Sequence, residues 1–161
     1  MEGGQRVAAP IRRAGPADLE ALVDLWLEAA RHHQDLDPYF ALRPDAREPV
    51  RRLLARELGD PDAAAWLAGD PPEGFCIAHI DRAPPIHREL ERAEITDLGV
   101  RAAARRAGLG SRLVAAAGVW VRGRGVDRLE VRVATGNREG QAFWRALGFG
   151  EFTNVLQRRL P

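Results

Sequence analysis

The chain has 161 residues, enough for one domain with a core of its own, and its 45% hydrophobic and 29% charged content is ordinary for a soluble globular protein. A net charge of +1 excludes the strong field of a nucleic-acid or membrane-surface binder. The single cysteine excludes an internal disulfide.

Every basic side chain is arginine, so no lysine is available as a base. No apolar run reaches the roughly 20 residues of a bilayer span, and no signal-peptide pattern opens the chain. The expectation is a single cytoplasmic domain over residues 1–161, with residues 1–5 disordered.

In chain order, residues 7–13 read as a strand, with Pro10 tolerable at a sheet edge. Gly15-Pro16-Ala17-Asp18 is a helix start. Leu19, Leu22, Val23, Trp26 and Ala30 then share one helical face, and the helix is expected to end near Arg31. His32, His33, Tyr39 and Phe40 fall in a polar stretch read as a loop. Neighbouring His side chains point apart and no third ligand is apparent, so the His and Asp residues here read as solvated rather than metal-binding. A second helix opens near Pro49, carries Val50, Leu53, Leu54 and Leu58 inward, and stops at Gly59. Residues 63–68 and 74–81 read as strands around the turn-rich Gly69-Asp70-Pro71-Pro72-Glu73-Gly74. The second holds Cys76 in an apolar pattern that suits a buried thiol, not a nucleophile. Residues 82–92 read as a solvated loop.

Residues 93–100 read as a central strand, and Leu109–Gly123 as an amphipathic helix with Leu109, Leu113, Ala116, Ala117 and Trp120 inward. Leu129, Val131 and Val133 give a further strand. Residues 138–147 give a short helix, and residues 149–160 one strand or a hairpin of two. Interleaved helices and strands indicate a mixed α/β fold.

The junction of central strand and helix carries the chemistry. A strand, an Arg/Gly-rich turn and a helix N-terminus aim backbone N–H groups and a helix dipole at one point, which makes an anion site. Gly108 and Gly110 leave room for an anion, and Arg105 and Arg106 add charge that suits phosphate. A nucleotide-hydrolysing loop needs a Lys after its last Gly, and a dinucleotide-binding turn needs a third Gly; this turn has neither.

Arg105-Arg106-Ala107-Gly108-Leu109-Gly110 resembles the pyrophosphate turn of the GCN5-related N-acetyltransferase (GNAT) family. Asn137 and Ala142-Phe143-Trp144-Arg145-Ala146-Leu147-Gly148-Phe149 resemble that family's second signature. The resemblance is strong over residues 93–150 and loose before them. It implies a mixed, mostly antiparallel sheet of about six or seven strands, splayed between the fourth and fifth, with about four flanking helices. It implies acetyl-CoA as co-substrate, no metal, and a primary amine of a small molecule or peptide as acceptor, attacking the thioester directly. A homodimer stays open.

By the same resemblance, the backbone from Arg105 through Ala107, Gly108, Leu109 and Gly110 to Ser111 receives the pyrophosphate. Leu98, Gly99 and Val100 pair with the pantetheine arm, and an N–H near Leu98 faces the developing oxyanion. Gly99 suits a bulge that splays the strand. Asn137 matches a cofactor-binding position, although Gly136-Asn137 is also cap chemistry. Glu94 and Asp97 are the candidate bases. Their spacing of three puts them on opposite faces of a regular strand, although the bulge can rotate one of them, and at most one is expected to face the cleft. Glu94 is preferred, and pairing with Arg is the competing role for either. Trp144 stands where many relatives carry a Tyr that protonates the leaving thiolate. Indole cannot do this, which leaves Trp144 packing on the pantetheine arm or in the core. It also leaves a catalytically silent acyl-CoA-binding module as the alternative function.

Overall fold

The run Ala63-Ala64-Ala65-Trp66-Leu67-Ala68 is buried at every position, which suits an inner strand covered on both faces. It forms β2 (Ala63–Ala68) of a five-stranded sheet in a computed structural model that describes residues 9–89 and 91–160. The other strands are β1 (Ile11–Arg13), β3 (Gly74–Arg82), β4 (Glu91–Val100) and β5 (Leu129–Val131). They lie in the order β1-β2-β3-β4-β5, antiparallel except for the parallel pair β4 and β5.

Helices cover both faces. On one side α1 (Leu19–Leu36) and α2 (Arg47–Gly59) bury Leu22, Val23, Leu25, Leu27, Val50 and Leu54 against Ala65, Leu67, Phe75 and Ile77. On the other, α3 (Leu109–Gly123) and α4 (Arg138–Ala146) bury Leu109, Leu113, Val114, Ala117 and Trp144 against Trp66, Cys76, Ala78 and Ile95. No helix among the described residues is long and apolar enough to cross a membrane.

Three expectations are corrected. Among the described residues the sheet has five strands, not six or seven. Residues 150–160 form no strand; Phe152, Val155, Leu156 and Leu160 are exposed. The apolar alternation fails there at Val155-Leu156 and Arg158-Arg159, and β5 offers an edge only 3 residues long. Helix α1 continues past Arg31 to Leu36, because nothing stops it before Pro38; Asp37, the residue ahead of that proline, is extended at φ −155 and ψ 131. The first strand starts at Ile11, and the expectations for residues 1–5, Val7 and Ala8 lie outside the described residues.

One irregularity positions everything downstream. The β3–β4 register slips between Ile77 and Ala78, so that Ile77 faces Asp97 while Ala78 faces Ile95, leaving Thr96 as the extra residue. Ile95 and Leu98 therefore both pack on the α3 side. The β4–β5 ladder ends at the Ile95–Val131 rung, so Thr96 to Val100 run on without a β5 partner.

Just past the bulge the strand is crowded. A Cβ on Gly99 would lie 2.6 Å from Phe75 Cε1 and 3.0 Å from Ala29 Cβ. Gly99→Ala is expected to destabilise the fold by about 1–3 kcal/mol through overpacking, read as a lowered midpoint in urea unfolding.

Candidate functional site

The turn from β4 into α3 keeps its donors free. After a 3-10 turn at Ala102–Ala104, Arg105 is extended (φ −64, ψ 161), while Arg106 (φ 65) and Gly108 (φ 75) are left-handed. Such changes of backbone hand turn neighbouring N–H groups toward one concavity. Holding non-glycine Arg106 there costs on the order of 1 kcal/mol. The N–H groups of residues 106–111 meet no acceptor among the described residues; the next one, Arg112 N–H, donates to Gly108 O at 3.1 Å. The last of these free donors belong to the first turn of α3, at the positive end of its dipole.

The two arginines divide the work. Arg105 Nε donates to Val100 O at 3.0 Å and fastens the turn to the end of β4. Arg106 is exposed and free to reach an anion. The two glycines divide as well. A Cβ on Gly108 would meet nothing within 4 Å, so its need is the positive φ and the clear approach. A Cβ on Gly110 would lie 3.2 Å from Phe143 Cζ, so Gly110 serves the packing of α4 against α3.

Leu98, Gly99 and Val100 pair with Cys76, Phe75 and Gly74 on one side and are unpaired by β5 on the other. The anion turn thus stands at the end of an open strand edge. Asn137 caps α4, accepting from Gly140 N–H at 2.8 Å. Trp144 is 8% exposed, between Phe143 and Phe149 with ring centroids 5.1 and 5.0 Å away. It is a core aromatic in this structure.

The carboxylates are brought together. Because the bulge absorbs Thr96, Glu94 and Asp97 share the α1–α2 face; three residues apart, a regular strand would have opposed them. Trp26 Nε1 donates to Asp97 Oδ1 at 2.7 Å. Burial pushes the Asp97 carboxyl up; hydrogen bonds from Thr96 and Trp26, and the charges of His79 and His33, pull the other way. Glu94 Oε1 lies 3.2 Å from Arg132 Nε.

Sequence reasoning missed two members of this cluster. His79 faces Glu94 across the β3–β4 ladder, and its Nε2 abuts Glu57 Oε2 of α2. Burial pushes the Glu57 carboxyl up, opposed by His79. Both were signalled: His79 falls two residues after buried Ile77, and Glu57 three after buried Leu54, so each shares its neighbour's inward face. His32 and His33, expected in a loop, lie in the last turns of α1, with His33 Nδ1 3.0 Å from Ala29 O. Of the residues weighed for the pocket, His33 is the one near the carboxylates, while Tyr39 is 68% exposed. Cys76 is fully buried, and burial, then the Asp97 charge, push its thiol up, which rules out a ready nucleophile. A separate hollow of about 550 Å³, among Arg82, His87, Arg92, Arg128 and Phe152, lies at the far end of β4 from the anion turn.

A family model described as Acetyltransferase (GNAT) family matches residues 19–149. No curated protein matches the chain in sequence. Solved structures share its fold. A mutant of the BH1408 protein from Bacillus halodurans is 19% identical, with TM-score 0.83 over 94% of this chain and 99% of that one. Aminoglycoside 6'-N-acetyltransferase AAC(6')-Ig from Acinetobacter haemolyticus is 20% identical, with TM-score 0.74 over 94% and 98%. Aminoglycoside N-acetyltransferase AAC(6')-Iy, solved in complex with CoA, is 21% identical, with TM-score 0.76 over 97% of each chain.

The half-buried Asp97 has a measurable signature. Its carboxyl is raised on folding, so this group favours the fold below the unfolded value of about 3.9 and loses that contribution as pH rises through the folded value. Asp97→Asn keeps an acceptor for Trp26. It is expected to raise the thermal midpoint at pH 7 and to leave it unchanged near pH 3, as read by calorimetry at both values.

Proposed function

The chain belongs to the acetyltransferase (GNAT) family, and from that premise we propose that it moves the acetyl group of acetyl-CoA to a primary amine of a small molecule or peptide. The observation that carries this is the row of free N–H groups at residues 106–111, set at the end of a strand edge that β5 does not pair. A diphosphate suits those donors, and an amide-bearing pantetheine arm suits the open edge at Leu98, Gly99 and Val100.

In this reading the thioester carbonyl sits beside the bulge, with the Leu98 N–H available to the oxyanion. The amine arrives mostly as ammonium, since its pKa is near about 10, and must lose a proton. Asp97 is the better-poised base of the two, because burial raises it toward neutrality. Glu94, anchored by Arg132, presents negative charge to the incoming ammonium. The amine then attacks the carbonyl carbon, the C–S bond breaks, and coenzyme A leaves as thiolate. With Trp144 in the core, no side chain is assigned to protonate it; a thiol pKa of about 8.5 leaves that step to water.

The burial of Trp144 also favours a second reading, a catalytically silent acyl-CoA-binding module. AAC(6')-Iy has been solved with the bisubstrate analogue CoA-S-monomethyl-acetylneamine, so amino sugars belong in the first acceptor panel. Release of free coenzyme A thiol with any amine in such a panel supports transfer. Coenzyme A binding without turnover supports the silent module.

The cradle is tested by Gly108→Glu. The added side chain has space, so the fold is expected to survive, at a backbone cost of about 1–2 kcal/mol. Its negative charge is expected to weaken coenzyme A binding by more than about tenfold, measured by calorimetric titration. Unchanged affinity removes the pyrophosphate assignment.

A further inference from the structure

The face of the sheet under α1 and α2 changes character along its length. Near β2 it is apolar, with Ala65, Leu67, Phe75 and Ile77 in the core. Past Ile77 it carries His79, Glu94 and Asp97, with Glu57 of α2 closing over His79. Nothing in the proposed reaction yet uses His79 or Glu57, and neither is free surface: their side chains are 21% and 18% exposed.

We propose that His79 is a positioning residue of this reaction, receiving from the Glu94–Asp97 carboxylates the proton that the acceptor amine gives up, while Glu57 holds the resulting imidazolium. This deepens the acetyltransferase reading and rests on it. The geometry is the order of groups across the sheet. His79 and Glu94 are opposite one another on neighbouring strands, where Cβ atoms lie about 4.5–5.5 Å apart. The bulge brings Asp97 onto the same face, and His79 Nε2 abuts Glu57 Oε2 from the other side. An imidazole thus shares a face with the candidate bases and has a third carboxylate against its Nε2.

The state of Glu57 gives the direction. Glu57 Oε2 is buried, and His79 Nε2 is the one donor against it among the described residues. A neutral imidazole presents its one N–H to that oxygen and keeps its other ring nitrogen as an acceptor; once that nitrogen is protonated, the ring also brings a charge to Glu57. Gaining a proton therefore turns that contact into an ion pair. The proton balance closes: the ammonium N–H bond breaks as a carboxylate O–H forms, that O–H breaks as an imidazole N–H forms with one water passing the proton between them, and solvent takes the proton when product leaves.

The groups facing His79 are Glu57 from α2, with Asp60 at that helix's end acting on Glu57, and Glu94 and Asp97 from β4. From α1, His33 acts on Asp97, and Ala63 of β2 brings no charge. Arg132 acts only through Glu94, and Asp81, next on the same face of β3, lies 3.9 Å from Arg92.

Two measurements test this. In kinetics, His79→Gln is expected to lower kcat by about tenfold or more near pH 7, to leave KM for acetyl-CoA unchanged, and to remove one limb of the pH–rate profile. By NMR titration of the ring protons, the His79 midpoint is expected to fall in Glu57→Gln, because the anion that stabilises the imidazolium is gone. A His79→Gln profile of wild-type shape overturns the proposal, and so does a His79 midpoint indifferent to Glu57→Gln. The NMR arm needs neither turnover nor a folded His79→Gln protein. Failure of the acetyltransferase reading shows separately, as a wild-type protein that releases no thiol with any amine.

Discussion

A strand shows alternate side chains to opposite faces, and inserting one residue between two rungs reverses that assignment for everything beyond it. In β4 the inserted residue is Thr96. Before it, Ile95 joins the core under α3; after it, Leu98 joins the same core. The two carboxylates between and before them are forced onto the other face together. The same irregularity accompanies the parting from β5, whose last rung is at Ile95. An open backbone edge on one side and a paired set of acids on the other thus follow from a single displaced residue. The turn beyond Val100 inherits its place from the strand that feeds it, with Arg105 tied back to the Val100 carbonyl.

How much of this could be read from the residues depends on the range of the interactions involved. Helix α3 and strand β2 were legible to the residue, because an apolar stripe closed by Gly123 and a wholly apolar six-residue run are local signals. The glycine at 108 was legible as room for an anion, whereas its left-handed backbone came only with the structure. The length of α1 was misjudged: a polar, His-rich stretch looked like a loop, yet no breaker precedes Pro38. The last eleven or so residues were read as one strand or a hairpin, but whether a strand forms depends on an edge to pair with, and β5 is 3 residues long. The sharing of one face by Glu94 and Asp97 could not be fixed from their spacing, because the bulge exists only in the pairing of β4 with β3. His79 and Glu57 are 22 residues apart in sequence (79 less 57) and meet only in the fold.

The charged end of the sheet runs against stability. Asp97 is half-buried with Trp26 Nε1 on its oxygen, Glu57 has a buried oxygen met only by His79 Nε2, and Glu94 faces His79 across the ladder. Groups held in this way destabilise the fold at neutral pH and persist where activity needs them. The opposite half of the same face, with Leu67, Phe75 and Ile77 no more than 1% exposed, supplies the packing that tolerates them. The division matches the direction of the chain: α1 and α2 press hardest near their buried leucines and leave the polar groups at their ends.

The lone sulfhydryl has a practical corollary. Cys76 sits opposite Leu98 in the middle of the ladder, fully shielded and held protonated. A disulfide reagent such as Ellman's, added to the native protein, meets no exposed thiol, since Cys76 is the one cysteine, so yellow colour that develops in the proposed assay belongs to coenzyme A. The same reagent without acceptor becomes a clock for the lifting of α3 from the sheet, since Cys76 lies in the core which that helix covers.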